Sequence, residues 1–330
     1  MIEAAVVKSI AVELGFAACG IAKAERLPES EYPLEEWLAR GYNADMQYME
    51  RNIEMRRDPR LLVEGARSVI SLLVLYKSDR VMEGRGKIAQ YAYGEDYHER
   101  LKRMMYSLMA LIKERYPDFE GRPFVDTAPI SDRHWAVRAG LGWIGRNTLF
   151  VHPRYGSYCF LGEIVTTSTV DCYDTPMELS VEDETHSGLI ADPQPTTCIS
   201  PKQDSSMNCG CGSCRLCLDA CPNKAITIME SGAPMLDARR CTSYNTIENR
   251  ADRLPDELDT RGYAYGCDIC QMVCPYNRHA PASFHLDDQR KAELESLTNS
   301  DDIVFSGFTK HSAMSRIKYW QWRRNVDICK

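Results

Sequence analysis

Two cysteine runs constrain this chain more than any other stretch of it. Residues 209–222 read CGCGSCRLCLDACP, in which Cys211, Cys214, Cys217 and Cys221 follow the spacing C-x2-C-x2-C-x3-C-P. Residues 267–275 read CDICQMVCP and space Cys267, Cys270 and Cys274 as C-x2-C-x3-C-P. Such spacings let one loop set three thiolates on adjacent corners of an iron–sulfur cube, while the cysteine before the proline points away to a second cube. Two [4Fe–4S] clusters are therefore expected. Two cubes need eight ligands, and the two runs supply seven. Cys241, in RRCTSYNT between them, is the natural eighth, with Cys209 as its rival. The expected assignment is crossed: Cys211, Cys214, Cys217 and Cys274 on one cluster, Cys221, Cys241, Cys267 and Cys270 on the other. A pair of zinc knuckles is the competing reading. It is disfavoured because the first run crowds four thiolates too tightly for one tetrahedral ion.

The rest of the chain is too large to serve only as packing around two clusters. At 330 residues it can bury one large core and a smaller one. Apolar residues make up 44% and charged residues 26%, the balance of an ordinary globular protein. The other cysteines (Cys19, Cys159, Cys172, Cys198, Cys209, Cys329) are scattered and form no disulfide framework. No signal peptide and no apolar run of membrane-spanning length is evident, so a reduced cytoplasmic setting is expected. The formal charge of -7 argues against non-specific wrapping of nucleic acid. Local basic clusters remain: Arg51 to Arg67, Arg133 to Arg154, and Arg316, Lys318, Arg323 and Arg324.

In chain order, apolar positions Ile2, Val6, Ile10 and Leu14 predict a helix stopped at Gly15, and residues 20–60 read as polar and aromatic with helices near 35–40 and 45–51. The apolar run 67–76 predicts a central strand. A helix is expected over 96–115, with Leu101, Met104, Met105, Leu108 and Ile112 as its core stripe. Asp126 follows an extended segment at 123–125 and, read locally, would cap the next turn. Gly140, Gly142 and Gly145 surround Trp143 and permit either close approach to a ligand or a tight chain crossing. A strand is expected at 158–167 and a short strand pair about Gly232. The stretch 311–328 reads as a basic amphipathic helix anchored by Met314, Ile317, Trp320 and Trp322, docked on the body of the protein or offered to nucleic acid. The boundaries expected are 1–195, 196–285 and 286–330.

Two low-potential clusters imply electron transfer but not an acceptor, and no H-x-H, H-x-x-E or G-x-S-x-G motif is present. The chemistry is expected to lie with an organic cofactor held by the larger domain. The segments MRRDPRLL (55–62), YAYGEDYH (91–98), FVDTAP (124–129), AGLGWIGRN (139–147), GSYCFLGEI (156–164) and RRCTSYNTIE (239–248) accompany the paired cysteine runs. In these the chain resembles the epoxyqueuosine reductases. The resemblance implies an α+β fold: a nitroreductase-like cobalamin-binding domain, a double [4Fe–4S] ferredoxin-like domain and a helical tail, shorter than the helical repeats of many relatives. It implies cobalamin (B12), fed by the clusters one electron at a time from an external low-potential donor. The substrate implied is epoxyqueuosine at the wobble position of tRNAs with a GUN anticodon (Asp, Asn, His, Tyr). It favours Cys241 over Cys209 as eighth ligand. It also recasts Asp126 as the acid that protonates the alkoxide left by epoxide opening, from a pocket that raises its pKa. Arg57, Tyr97, Asp126, Asn147, Gly156, Ser157 and Ser243 are the cobalamin contacts expected, and Arg133, Arg154 and the basic face of 316–324 the tRNA contacts. A cytoplasmic monomer is expected. A corrinoid reductive dehalogenase and an electron-transfer module without a substrate are the alternatives.

Overall fold

The computed structural model describes residues 1–28, 33–177, 210–230 and 232–329. Helix α1 (Ala4–Glu13) leads into strand β1 (Ala18–Lys23), followed by two short helices, α2 (Leu34–Ala39) and α3 (Ile53–Arg57). Strand β2 (Ser68–Leu75), the short β3 (Lys87–Ile88), the long helix α4 (Tyr97–Arg115) and β4 (Gly121–Phe124) come next. Helix α5 (Asp132–Arg138), the hairpin β5 (Trp143–Ile144) and β6 (Phe150–Val151), and β7 (Cys159–Thr166) complete the first half.

β1, β2, β7 and β4 form one antiparallel sheet in that order. β2 reads SVISLLVL and is buried almost throughout, as a central strand covered on both faces must be. Ile70, Leu72 and Val74 join α1 and the Leu101, Met105, Leu108 and Ile112 stripe of α4 in one core. Val69 and Leu73 join Trp135 and Ala136 of α5, and Ala139 just after it, in the other. α4 begins where Asp96 accepts the His98 backbone N–H at 2.9 Å, an N-cap that fixes both residues.

The second half wraps the paired cysteine runs in short elements: α6 (Leu216–Ala220), hairpin β8 (Ile226–Ile228) and β9 (Pro234–Leu236), α7 (Thr242–Ile247), β10 (Tyr263–Tyr265), α8 (Ile269–Met272) and α9 (Pro275–Arg278). Helices α10 (Asp288–Ser296), α11 (Asp302–Thr309) and α12 (Tyr319–Ile328) follow. They share a third core with Tyr93, Ile88, Ala264 and Tyr265, so the tail packs against both halves.

Four expectations need correction. β1 went unrecognised because ACGIAK carries too little β-branched side chain to register as a strand; its pairing with β2 supplies the stability its composition lacks. The terminal basic helix is broken: a 3-10 turn (Ala313–Arg316) precedes α12, and Trp320 points outward while Trp322 is fully buried. Part of its charge is engaged by the body of the protein. Arg316 clasps Glu248 at 2.9 and 3.0 Å, Arg323 donates to the Thr298 carbonyl at 2.7 Å, and Arg324, itself buried, donates to the carbonyls of Asn249 and Ala251. The element is therefore a docked one. Finally, Cys172 is disulfide-bonded. The boundary expected at 195/196 and Cys209 lie outside the described residues.

Candidate active site and cluster cavities

Cys211, Cys214, Cys217 and Cys274 line one cavity, together with Arg146, Asn147, Leu216 and Tyr276. α6 and α8 pack together, which brings the last cysteine of one run to the first three of the other. Burial pushes the Cys217 thiol up to about 11, and the neighbouring Cys211, Cys214 and Cys274 add to the effect. Cys221, Cys241, Cys267 and Cys270 form a second group, near enough to act on one another's thiols. Burial raises Cys267, and Cys241 and Cys221 raise it further; Cys270 likewise is raised first by burial and then by Cys267 and Cys241. Among the described residues no three His, Cys, Asp or Glu side chains converge on a single-ion site.

The glycine-rich segment 139–147 proves to be a tight crossing. A Cβ on Gly142 would collide with the Val151 carbonyl of the opposing strand, so only glycine lets β5 and β6 close up. The hairpin sets Trp143 against Tyr276 at 4.8 Å and lets Arg146 donate to the Gly212 carbonyl at 2.7 Å. It walls the first cavity.

Asp126 stands just past the end of β4 with φ of 39°, in the left-handed region that few residues other than glycine adopt and that aspartate enters more readily than most. Its Oδ2 accepts the Tyr97 hydroxyl at 2.8 Å and lies 3.2 Å from His98 Nε2. These are bonds across the fold, so the local capping reading is replaced. The expectation of a raised pKa is also overturned. Burial pushes the Asp126 carboxyl up, but the hydrogen bonds from His98 and Tyr97 and the charges of His98 and Arg133 outweigh it and leave it lowered. The side chain is 58% exposed, so water tempers the burial penalty. Burial and Asp126 both raise the Tyr97 phenol, which stays protonated and donates. Beside it, the Phe160 ring stacks on Tyr97 at 4.3 Å and 4°, and Tyr76 lies on Phe160 at 4.4 Å.

Of the other expected contacts, Arg57 is buried in α3 and paired with Glu35. Asn147 lies in the wall of the cysteine cavity. Gly156 and Ser157 are gripped by the second cysteine run: Asn277 Oδ1 accepts the Ser157 N–H at 2.7 Å, and Ser157 Oγ donates to Gln271 at 2.9 Å. Ser243 sits on α7 beside Cys241, towards which its N–H is directed. Arg133 donates to the Thr148 carbonyl, and the Arg154 guanidinium lies over the Tyr155 ring. The sequence reading passed over Asp96, His98, Phe160, Gln271 and Asn277. His98 was within reach of it, since Asp96-x-His98 is a capping pair inside the quoted YAYGEDYH.

These surroundings fit the groups the fold implies. The buried Trp143 indole N–H and the buried Arg56 Nε lack partners among the described residues. The first, packed on Tyr276 of the thiol cavity's wall, suits a sulfur acceptor; the second suits the amide or phosphate oxygens of a cobalamin. A double-cluster unit docked on an antiparallel α+β domain is the organisation of an iron–sulfur oxidoreductase whose acceptor lies in the first half of the chain.

Comparison with known proteins narrows that class. Residues 56–127 match the family described as "Epoxyqueuosine reductase QueG, DUF1730", and residues 210–277 match "4Fe-4S double cluster binding domain". The epoxyqueuosine reductase of Cellulophaga algicola is 37% identical over 98% of this chain and 97% of its own length. A crystal structure of an epoxyqueuosine reductase with an epoxyqueuosine-modified tRNA-Tyr stem loop superposes with TM-score 0.75 at 28% identity, covering 97% of this chain and 79% of that one. The Bacillus subtilis enzyme, solved with its aspartate-bearing catalytic loop swung out of the active site, superposes at 0.72 with 26% identity over 97% and 79%. The chain belongs to the epoxyqueuosine reductase family. It is an oxidoreductase with a nitroreductase-like first domain that reduces epoxyqueuosine to queuosine, using two [4Fe–4S] clusters and cobalamin. No helix among the described residues is long and apolar enough to cross a membrane.

Proposed function

We propose that this chain acts on epoxyqueuosine in the wobble position of GUN-anticodon tRNA, and that Asp126 delivers a proton to the epoxide oxygen. The observation that carries the reading is the Asp126 carboxyl itself: half-exposed, at a positive φ, and aimed by Tyr97 and His98 from another segment. A residue held in a sparsely populated conformation by bonds from another segment is a candidate working position. A solved relative carrying a modified tRNA stem loop, and another with an aspartate on a mobile catalytic loop, support the same assignment. A wobble nucleotide must leave its stack to be reached. Tyr48, with the Arg316 guanidinium 5.9 Å from its ring centroid, is an exposed aromatic on the Asp126 side that suits an unstacked base.

When bound, cobalamin supplies the two-electron reduction that no side chain can perform. The proposed cluster ligands are Cys211, Cys214, Cys217 and Cys274 for the first and Cys221, Cys241, Cys267 and Cys270 for the second. Their packing, described above, supports the crossed assignment. The electrons come from an external low-potential carrier, one at a time.

The test is an anaerobic assay of epoxyqueuosine-containing tRNA with reconstituted holoprotein. Asp126→Asn is expected to lose on the order of 100-fold in turnover. Wild-type turnover in that variant would remove Asp126 from the role, and reduction of the free nucleoside but never of tRNA would remove the tRNA.

A further inference from the structure

Reducing an epoxide to an alkene and water consumes two electrons and two protons, because the oxygen must depart as water. One carboxyl holds one proton. We propose that His98, held by Asp96, is the reservoir that recharges Asp126, so that both protons pass in turn through the Asp126 carboxyl. The proposal rests on Asp126 being the acid.

The geometry is that of a relay. His98 Nδ1 lies 2.7 Å from Asp96 Oδ1, and Nε2 lies 3.2 Å from Asp126 Oδ2. A neutral imidazole has one N–H and one lone pair, so it satisfies one carboxylate and repels the other. Only the imidazolium, with a donor at each nitrogen, serves both. The ring is held flat on Tyr97, 4.0 Å between centroids. Asp96 is fixed in turn, accepting the His98 N–H and donating its own N–H to the His311 carbonyl at 2.9 Å. His98 and Asp96 are about a quarter exposed or less, so the ring keeps its place beside Asp126, whose side chain is 58% exposed.

Other charges bear on the pair. Arg133 and Asp132 of α5 act on Asp126 with opposite sign, and Arg316 and Tyr48 reach it from the far side. With these included, burial opposes the His98 charge but Asp126 and Asp96 prevail and raise its pKa, while that of Asp126 is lowered. The resting proton therefore sits on the imidazole. In each delivery it moves from Nε2 to Asp126 Oδ2 and on to the substrate oxygen, and water reprotonates the ring. The two electrons arrive through the clusters from the one-electron carrier.

His98→Gln, Asp96→Asn and Asp126→Asn holoproteins test this against wild type, with histidine side-chain NMR titration as a readout independent of turnover. The His98 signal, assigned by its loss in His98→Gln, is expected to titrate above the ordinary value of about 6.5 and to fall towards it in Asp96→Asn. His98→Gln is expected to lower kcat on the order of 100-fold with KM for the tRNA unchanged, and wild-type kcat to decline as pH rises through the His98 pKa. Asp96→Asn should lower kcat less and move that decline to lower pH. Wild-type kcat and pH profile in both His98→Gln and Asp96→Asn, or an ordinary His98 titration in wild type, would overturn the relay. Full activity of Asp126→Asn would instead overturn the reading beneath it.

Discussion

Cys211, Cys214 and Cys217 reach one cavity through spacings of three residues, whereas Asp126 meets His98 across 28 positions of chain. The cluster loops place their donors by local geometry, which little in the rest of the fold can alter. The acid corner exists only because α4 packs on the sheet of which β4 is an edge strand, so its geometry depends on the Leu101, Met105, Leu108 and Ile112 stripe as much as on the polar groups. Donor identity decides the first region and long-range packing the second. Substitutions should therefore fail differently in the two.

The largest effect belongs to the one proposed ligand that no short spacing supplies. Cys241 comes from the 3-10 turn before α7, and its thiol is raised by burial and by nearby Cys221. Cys241→Ala is expected to drop iron from about eight to about four atoms per chain and to abolish turnover on tRNA. Iron assay after anaerobic reconstitution, with electron paramagnetic resonance of the reduced protein, reads the result. Retention of about eight irons would hand the eighth position to another residue and break the crossed assignment.

A smaller effect should appear at the seam between the regions. Gly156 has φ of 66°, and a Cβ there would drive into Asn277 Oδ1, the atom that accepts the Ser157 N–H. Gly232 has φ of 83° with nothing within 4 Å of the same added atom. Gly232→Ala is expected to show backbone strain alone, about 1 kcal/mol, and Gly156→Ala strain plus lost contact, about 3 kcal/mol. The melting temperature of each holoprotein gives the ranking. Equal losses would mean that Asn277 yields freely and that the seam is not rigid.

The same contrast explains what the sequence made legible. Paired cysteine runs announce their chemistry because each spacing is itself a geometry. β2 and α4 were readable because apolar periodicity reports burial directly. β1 was not, since ACGIAK becomes a strand only against β2. The basic tail could be read as docked or as offered to nucleic acid, because composition records charge but not whether a guanidinium ends in solvent or, like that of Arg324, in the carbonyls of Asn249 and Ala251. Asp126 could be named from its motif, yet its pKa was placed on the wrong side. The motif contains the carboxyl, and the groups that lower its pKa, chiefly His98 and Tyr97 and then Arg133, lie on other elements.

That sign gives the smallest and most specific prediction. His98 is raised in the folded chain, so its contribution to stability is complete below its unfolded pKa of about 6.5 and is lost as pH rises through the folded value. Asp126 is lowered, so its contribution is present above its unfolded pKa of about 3.9 and is lost as pH falls through the folded value. The pair is intact only between these limits. The melting-temperature difference between wild type and His98→Gln should therefore be greatest near pH 5.5–6, shrink on the alkaline side above the raised His98 pKa, and shrink again in acid. The exposure of Asp126 keeps the whole difference small. A difference flat from pH 5 to 9 would mean that His98 stacks on Tyr97 without sharing charge with Asp126, leaving the acid corner held by packing alone.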